Sequence, residues 1–315
     1  MLYSFTKIIV RLALKIFCAR MVIKGRSAQA IQGPVLITAN HPNSFLDAII
    51  IGSLFDRRVH FLARGDAFRK PWHNRLLRLL NMIPIYRLSE GKENLSLNDS
   101  SFKRSNEILS AGGIVLIFIE GICVHKHELQ PFKKGAGRIA TESRSNKKLH
   151  ILPLGIAYDS FENFGKQINI YIGEPLLSET LFPFEEEAKN IRNFNEVLYE
   201  EINQRIKISF EKNKRSSLSK MFFPAAITGR VLHIVLYKAI KNFVKKKTRG
   251  TVFFDSVLFG CLLILYPIYV LLICLLLWLL HVHIVIIIAV FFLFPFSAWS
   301  AVRWRKWHAD DLAAQ

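Results

Sequence analysis

The residues best suited to chemistry in this sequence are a histidine and an aspartate that follow an apolar run. The stretch TANHPNSFLD, residues 38–47, contains His41 and Asp47. Pro42 restricts His41 to an extended conformation, so we expect a strand ending at Asn40, a turn and then a helix. Asp47 could fold back from the first helical turn to one imidazole nitrogen, leaving the other free as a general base. A surface histidine with a satisfied hydrogen bond would give the same local pattern.

Two further apolar runs end in residues that could hold a polar substrate. The stretch NMIPIYR, residues 81–87, reads as an apolar strand edge that ends in Arg87. A guanidinium can bind a phosphate with two hydrogen bonds. The stretch IVLIFIEG, residues 114–121, reads as a buried strand that ends in Glu120 and Gly121. This is the end of the sheet at which open α/β folds place ligands. Taken alone, Arg87 could simply be a solvated surface residue.

A basic, glycine-containing stretch follows the third run. In PFKKGAGR, residues 131–138, Lys133, Lys134 and Arg138 surround two glycines, and the backbone can approach an anion closely. A solvated basic loop is the alternative interpretation of these residues.

Short apolar runs that alternate with helical stretches must position these side chains. The pattern predicts strands at 34–39, 59–63, 113–119, 150–157 and 168–172. It predicts helices that include 48–55 and 101–110. The central part of the chain is therefore expected to be an α/β domain.

The two ends of the chain have membrane character. Residues 1–20 predict an amphipathic helix in the lipid headgroup region, although a core-packing helix is an alternative. Near the other end, residues 256–280 and 284–302 carry no Asp, Glu, Lys or Arg, and each run is long enough to span a bilayer. Basic residues flank the pair on both sides, which predicts a transmembrane hairpin with both ends cytoplasmic. A re-entrant hairpin and a buried core hairpin are the alternatives.

The composition of the chain is typical of a protein that acts at an anionic membrane surface. The chain of 315 residues has 43 Lys and Arg against 24 Asp and Glu, a net charge of +19. We do not expect a nucleic-acid partner, because the long apolar runs require lipid and no nucleic-acid-binding motif is present. The four cysteines have no CxxC spacing, which predicts neither a disulfide framework nor a metal site and fits a reducing cytoplasmic setting.

Taken in order, the stretches at 38–47, 81–87 and 114–121, with an apolar strand at 151–157, resemble the four ordered motifs of the PlsC-like glycerolipid acyltransferases, the family of lysophosphatidate and glycerol-3-phosphate acyltransferases. The basic stretch at 131–138 follows the third of these motifs. The residues that carry the resemblance are Asn40, His41 and Asp47; Arg87; Phe118, Ile119, Glu120 and Gly121; and Pro153. The resemblance covers roughly residues 30 to 175. It implies an α/β fold with a mixed sheet flanked by helices, to which this chain adds the N-terminal amphipathic helix and the C-terminal hairpin.

The resemblance also implies roles for individual residues. His41 would take the proton from the acceptor hydroxyl, and Asp47 would orient it. The expected substrate-binding residues are Asn40, Arg87, Glu120 and Gly121, with Lys133 and Lys134 as further candidates for phosphate contact. No cofactor or metal is expected; acyl-CoA or acyl carrier protein would be the co-substrate, and glycerol-3-phosphate or a lyso-lipid the acceptor.

This chain departs from the family pattern in two motifs. Five residues separate His41 from Asp47, where the family usually has four. In the third motif, Ile119 replaces a proline, and residues 122–124 read Ile-Cys-Val where Thr-Arg-Ser is frequent. The missing arginine weakens the expectation of a standard phosphate clamp; His125, Lys126 or Lys133 could substitute. Cys123 as a thiol nucleophile is a minor alternative, because the base-driven reaction needs none.

We therefore predict an integral membrane O-acyltransferase of phospholipid biosynthesis, with its active site on the cytoplasmic face. An acyltransferase acting on a non-phosphate lyso-lipid, such as an amino-acid lipid, is one alternative, and a non-catalytic lipid-binding membrane protein is another. The predicted divisions are an interfacial helix (1–20), an acyltransferase domain (21–215), a basic amphipathic connector (216–250), the transmembrane hairpin (251–302) and a cytoplasmic tail (303–315).

Overall fold

An eight-stranded mixed sheet forms the centre of the part of the chain that the structure describes. We describe it from a computed structural model that covers residues 2–86, 96–143, 148–207 and 222–312, with side chains between Tyr3 and Trp304 within those ranges. The strands are β1 (Arg20–Lys24), β2 (Val35–Ala39), β3 (Val59–Arg64), β4 (Met82–Ile85), β5 (Ile114–Phe118), β6 (His150–Tyr158), β7 (Gln167–Ile172) and β8 (Leu176–Leu177).

The strand order is β1-β7-β6-β2-β5-β3-β4, and β8 pairs with β6. Strands β2 to β6 run parallel, whereas β7 and β8 are antiparallel to β6, and β1 is parallel to β7. This confirms the predicted α/β fold with a mixed sheet. Every residue of β2 is buried, as expected for a central strand covered on both faces. The registers pair Ala39 with Phe118 of β5 and with Leu154 of β6, so these strands present their ends at the same edge.

Helices cover both faces of the sheet. In the main domain they are α1 (Leu2–Phe17), α2 (Ser44–Leu54), α3 (Pro71–Leu79), α4 (Leu97–Ser110), α5 (Gly135–Ser143), α6 (Ser178–Leu181) and α7 (Glu187–Ile206). Helices α4, α5 and α7 pack on one face in a single apolar cluster. Helices α1 and α2 pack on the other face, and α2 buries Leu46, Ile50 and Ile51 completely. The helix that carries Asp47 is therefore anchored by its apolar side chains.

Helix α1 has two unlike faces. Leu14 and Phe17 lie in the core beside α2, whereas Ile8 and Leu12 are largely exposed. Its cationic side chains bind the end of α2: the Lys7 ammonium donates to the carbonyl of Phe55 at 2.6 Å, and Arg11 donates to that of Ser53 at 2.6 Å. These bonds satisfy carbonyls that the helix itself leaves free. The exposed apolar face is the part of α1 that could enter the headgroup region, and the interfacial location of residues 1–20 stays a prediction.

Among the described residues, three helices near the C-terminal end are long and apolar enough to cross a membrane by length and composition. They are α8 (Phe223–Lys247), α9 (Phe254–Leu279) and the segment Ile284–Trp304 of α10 (Ile284–Leu312). The hairpin predicted from the sequence corresponds to α9 and α10, and α8 corresponds to most of the predicted connector. Phe254, Leu258 and Phe259 of α9 belong to the same apolar cluster as the sheet. The first turns of α9 are thus part of the domain core.

Candidate active site

The turn between β2 and α2 brings a histidine to the edge of the sheet. His41 follows the buried end of β2, and α2 begins three residues later, at Ser44. Ser44 has a positive φ of 52°, an uncommon conformation for a residue other than glycine. Its amide donates to Sγ of Cys123 at 2.9 Å. This turn accommodates the extra residue that precedes Asp47 in this sequence.

The turn brings His41 and Asp47 together. Nδ1 of His41 lies 2.9 Å from Oδ2 of Asp47, whose side chain is completely buried, while the His41 side chain keeps 14% of its surface exposed. A carboxylate only accepts hydrogen bonds, so Nδ1 carries the proton in this pair. Nε2 then has a free lone pair, and no residue that the structure describes hydrogen-bonds to it. The arrangement can therefore take a proton at Nε2.

Asp47 is fixed by two donors besides the imidazole. The backbone amide of Asn43 donates to Oδ2 at 2.7 Å, and the hydroxyl of Tyr158 donates to Oδ1 at 2.6 Å. Burial, with the neighbouring Asp47 charge, raises the pKa of Tyr158 well above its ordinary value, so this phenol remains a donor. The sequence-based prediction missed Tyr158. The signal in the sequence was its place directly after the predicted strand at 150–157.

The imidazole of His41 also packs against a ring. It stacks on Phe118, the last residue of β5, with ring centroids 3.7 Å apart and planes 10° from parallel. The register of β2 with β5 produces this contact, because Phe118 pairs with Ala39 two residues before His41. Stacking and the hydrogen bond to Asp47 together leave the ring a single orientation.

Glu120 lies beside His41 but uses its carboxylate on the backbone. Oε2 accepts from the amide of His41 at 2.8 Å, and Oε1 accepts from the amide of Gln130 at 2.9 Å. Burial raises the pKa of Glu120 from its ordinary value, although these two hydrogen bonds oppose the shift. In the structure, Glu120 joins the histidine turn to the loop after β5. Its predicted contact with the acceptor stays a prediction.

Asn40 makes a similar cross-strand connection. Its amide group donates to the carbonyl of Ile156 at 2.9 Å and accepts from the amide of Ile156 at 2.8 Å. The side chain is buried and pairs the end of β2 with β6. These contacts place Asn40 beneath the turn, where it fixes the strand end that carries His41.

The remaining predicted binding residues lie on the loop after β5 or outside the described residues. Gly121 has a φ of 66°, and a Cβ at this position would lie 2.9 Å from Cγ of Lys133. The amide of Lys133 donates to the carbonyl of Ile119 at 2.8 Å, which holds this lysine close to Gly121. Lys134 is exposed and immediately precedes α5. Arg87 lies outside the residues that the structure describes.

A family model agrees with the motifs. Residues 20–157 match the family model described as Acyltransferase, which confirms the resemblance drawn from the sequence. A search of curated proteins gave no match. Among solved structures, this chain is similar to the 1-acyl-sn-glycerophosphate (LPA) acyltransferase PlsC from Thermotoga maritima. The identity is 19%, with 65% of this chain and 81% of that chain covered and a TM-score of 0.48.

Proposed function

We propose that this chain, which carries an acyltransferase domain in residues 20–157, moves a fatty acyl group from acyl-CoA or acyl carrier protein to a hydroxyl of glycerol-3-phosphate or lysophosphatidate. The observation that carries the proposal is the His41–Asp47 pair, with Nδ1 held at 2.9 Å and Nε2 free. A base held in this way can activate a hydroxyl at neutral pH.

The reaction needs two proton transfers, one to Nε2 of His41 and one from it. Nε2 of His41 takes the proton of the acceptor hydroxyl as its oxygen attacks the thioester carbonyl. The resulting tetrahedral intermediate collapses with cleavage of the carbon–sulfur bond, and the imidazolium returns its proton to the departing thiolate. The ester and a free thiol are the products. Asp47 stabilises the transient imidazolium, and the two other hydrogen bonds to Asp47 keep its carboxylate in place.

The location beside lipid supports a membrane-bound acceptor or donor chain. Two turns of α9 lie in the core of the domain, and the remainder of α9 carries exposed apolar side chains such as Leu271 and Leu272. A helix with this surface and length is typical of a membrane span. We infer that the dyad lies close to the membrane, where a long acyl chain need not cross water. The proposed orientation, with the active site on the cytoplasmic side, follows from the basic residues that flank the hairpin.

An anionic acceptor is supported by the basic surface near the site. Lys133 lies against Gly121, one residue from Glu120, and Lys134 is exposed next to it. Their ammonium groups could bind the phosphate of the acceptor, and Arg87 is proposed as a third phosphate contact. Asn40 and Glu120 would support this region through their backbone contacts.

A non-phosphate acceptor is the second candidate. The observation that favours it is the loop after Gly121, where Ile122 is exposed and Cys123 turns its sulfur toward the amide of Ser44. Many family members have Thr-Arg-Ser at residues 122–124, so this chain has the uncharged Cys123 where a phosphate-binding arginine is frequent. An acceptor such as a lyso-amino-acid lipid would not need that arginine. A non-catalytic lipid-binding role is disfavoured by the intact geometry of the dyad.

A transfer assay with several acceptors tests the proposal. Purified protein in lipid nanodiscs is given labelled palmitoyl-CoA or palmitoyl-acyl carrier protein, with glycerol-3-phosphate, lysophosphatidate or a lyso-amino-acid lipid in separate reactions. We expect labelled ester with a phosphate-containing acceptor. Ester formed only with the lyso-amino-acid lipid would establish the second candidate, and no ester in any reaction would contradict an acyltransferase function.

A further inference from the structure

The first residues of α9 contact the turn that carries the dyad. The side-chain amide of Asn43 donates to Oδ2 of Asp255 at 2.8 Å. The amide of Leu46 donates to the hydroxyl oxygen of Ser256 at 3.0 Å, and that hydroxyl donates to the carbonyl of Asn43 at 3.4 Å. These contacts join residues more than 200 positions apart in the chain.

Ser256 supplies the cap that α2 does not make for itself. Asn43 occupies the position before α2, where asparagine commonly accepts a hydrogen bond from the first turn, but its side chain makes no such bond. Its side-chain amide is directed at Asp255 instead. The amide of Leu46 is one of the first-turn donors that a helix cannot satisfy internally, and Ser256 of α9 accepts it. The start of the dyad helix is thus completed by a membrane helix.

Asp255 is itself held in a buried ion pair. Its carboxylate contacts the ammonium of Lys166, and both side chains are completely buried. The amide of Glu162 donates to the same oxygen, at 3.2 Å. A buried charge is tolerated only when it is paired and hydrogen-bonded, so these partners restrict Asp255 to one position.

Two separate connections lead from this ion pair to Asp47. In the first, Asn43 bonds Asp255 through its side chain and Asp47 through its backbone amide. In the second, the ammonium of Lys166 lies 5.6 Å from the ring centroid of Tyr158, whose hydroxyl donates to the other oxygen of Asp47. Both oxygens of the aspartate are therefore held by groups that contact Asp255 or its partner.

We propose that Asp255 and Ser256 are positioning residues for the His41–Asp47 dyad, so that the first turn of α9 is part of the support of the active site and more than a membrane anchor. This inference rests on the proposed acyl transfer for its kinetic consequence. Its structural consequence, an ordered turn at residues 42–48, is independent of the reaction.

Ser256→Ala tests the cap, with Ser300→Ala as the matched control. Ser300 is also a buried serine of a membrane helix, but its hydroxyl donates to the carbonyl of Phe296 within α10. Hydrogen–deuterium exchange is measured on the full chain in nanodiscs. In Ser256→Ala, we expect exchange in a peptide covering residues 42–48 to be about tenfold faster, because Leu46 loses its acceptor. Ser300→Ala should leave that peptide unchanged.

The double variant Asp255→Leu with Lys166→Met tests the ion pair. Either single change would leave an unpaired buried charge and could unfold the protein, whereas an apolar pair of similar volume often replaces a buried ion pair without loss of stability. We expect the double variant to melt near the wild-type temperature. It should show faster exchange at 42–48 and a kcat lower by roughly ten- to a hundredfold, with the KM for the acceptor unchanged.

Three results would overturn the proposal. They are unchanged exchange at residues 42–48 in both variants, exchange that increases equally throughout the domain, and local loosening with normal turnover in an active enzyme. Absence of turnover in the wild-type protein would instead contradict the proposed function. In that case the exchange data alone decide whether α9 supports the turn.

Discussion

The hydroxyl of Tyr158 donates a hydrogen bond to Oδ1 of Asp47 at 2.6 Å, and both residues are buried. Three residues are therefore hydrogen-bonded in series. Tyr158, at the end of β6, fixes Asp47, and Asp47 fixes the imidazole of His41. Tyr158 holds Oδ1 of Asp47, and the backbone amide of Asn43 holds Oδ2.

Tyr158→Phe should lower kcat by about tenfold, which corresponds to about 1.4 kcal/mol, close to the lower limit expected for loss of one hydrogen bond to a charged group. The ring and its packing are retained, so the KM for the acceptor and the melting temperature should stay close to wild type. Steady-state kinetics with the best acceptor measures the effect. Wild-type turnover in this variant would mean that Asn43 alone suffices to hold Asp47.

Glu120→Gln should change how stability depends on pH. Burial raises the pKa of Glu120 above its ordinary value of 4.5, so the folded protein binds this proton more tightly than the unfolded chain. As the pH rises from 4.5 through the raised pKa, the wild-type protein should therefore lose unfolding free energy that the glutamine variant does not lose. Melting temperatures of both proteins between pH 4 and 7 test this expectation. Parallel curves would contradict it.

Cys123→Ser should retain turnover within about a factor of three, a change below 1 kcal/mol. The serine oxygen can accept the amide of Ser44 as the sulfur does, and the proposed reaction needs no thiol nucleophile. Mass spectrometry of wild-type protein after incubation with the acyl donor alone provides a second measurement. A stable acyl thioester on Cys123, or inactivity of the serine variant, would favour a covalent intermediate.

The loop between α9 and α10 should lie across the membrane from the end of α8. We expect a cysteine in His283→Cys to react with an impermeant maleimide from the side opposite to one in Lys246→Cys, in sealed vesicles and in a background with the native cysteines replaced. Both positions have short flanking loops, so each reports the local side of the bilayer. Labelling of both from one side would indicate a re-entrant hairpin.

The sequence predicted the parts of the site that depend on short-range pattern. The strand that ends before His41 and the strand that ends before Glu120 lie within a residue or two of their predicted limits. Apolar runs of this length define buried parallel strands well. The sequence did not predict β1, because only three apolar residues lie between Arg20 and Lys24, and charged residues are common on the edge strand of a sheet.

The long-range contacts could not be predicted from spacing. Asp255 directly precedes the first uncharged run, inside the predicted hairpin at 251–302, and no motif in the sequence assigns it a contact. Lys166 likewise lay between two predicted strands without a motif. Only the folded chain shows that the two side chains meet in the core and that Asn43 joins them to the dyad. Periodicity reports which face of an element is buried, but not which partner covers it.

The most direct test of the account is the turnover of His41→Gln. Glutamine retains a polar side chain but cannot act as a general base at neutral pH, so acyl transfer to the best acceptor should fall by about 10²- to 10⁴-fold. We expect the variant to be recovered in the same membrane fraction as the wild-type protein, because the apolar helices that are long enough to cross a membrane do not depend on the imidazole. Acyl transfer at a rate close to that of the wild-type protein would contradict the proposed role of His41.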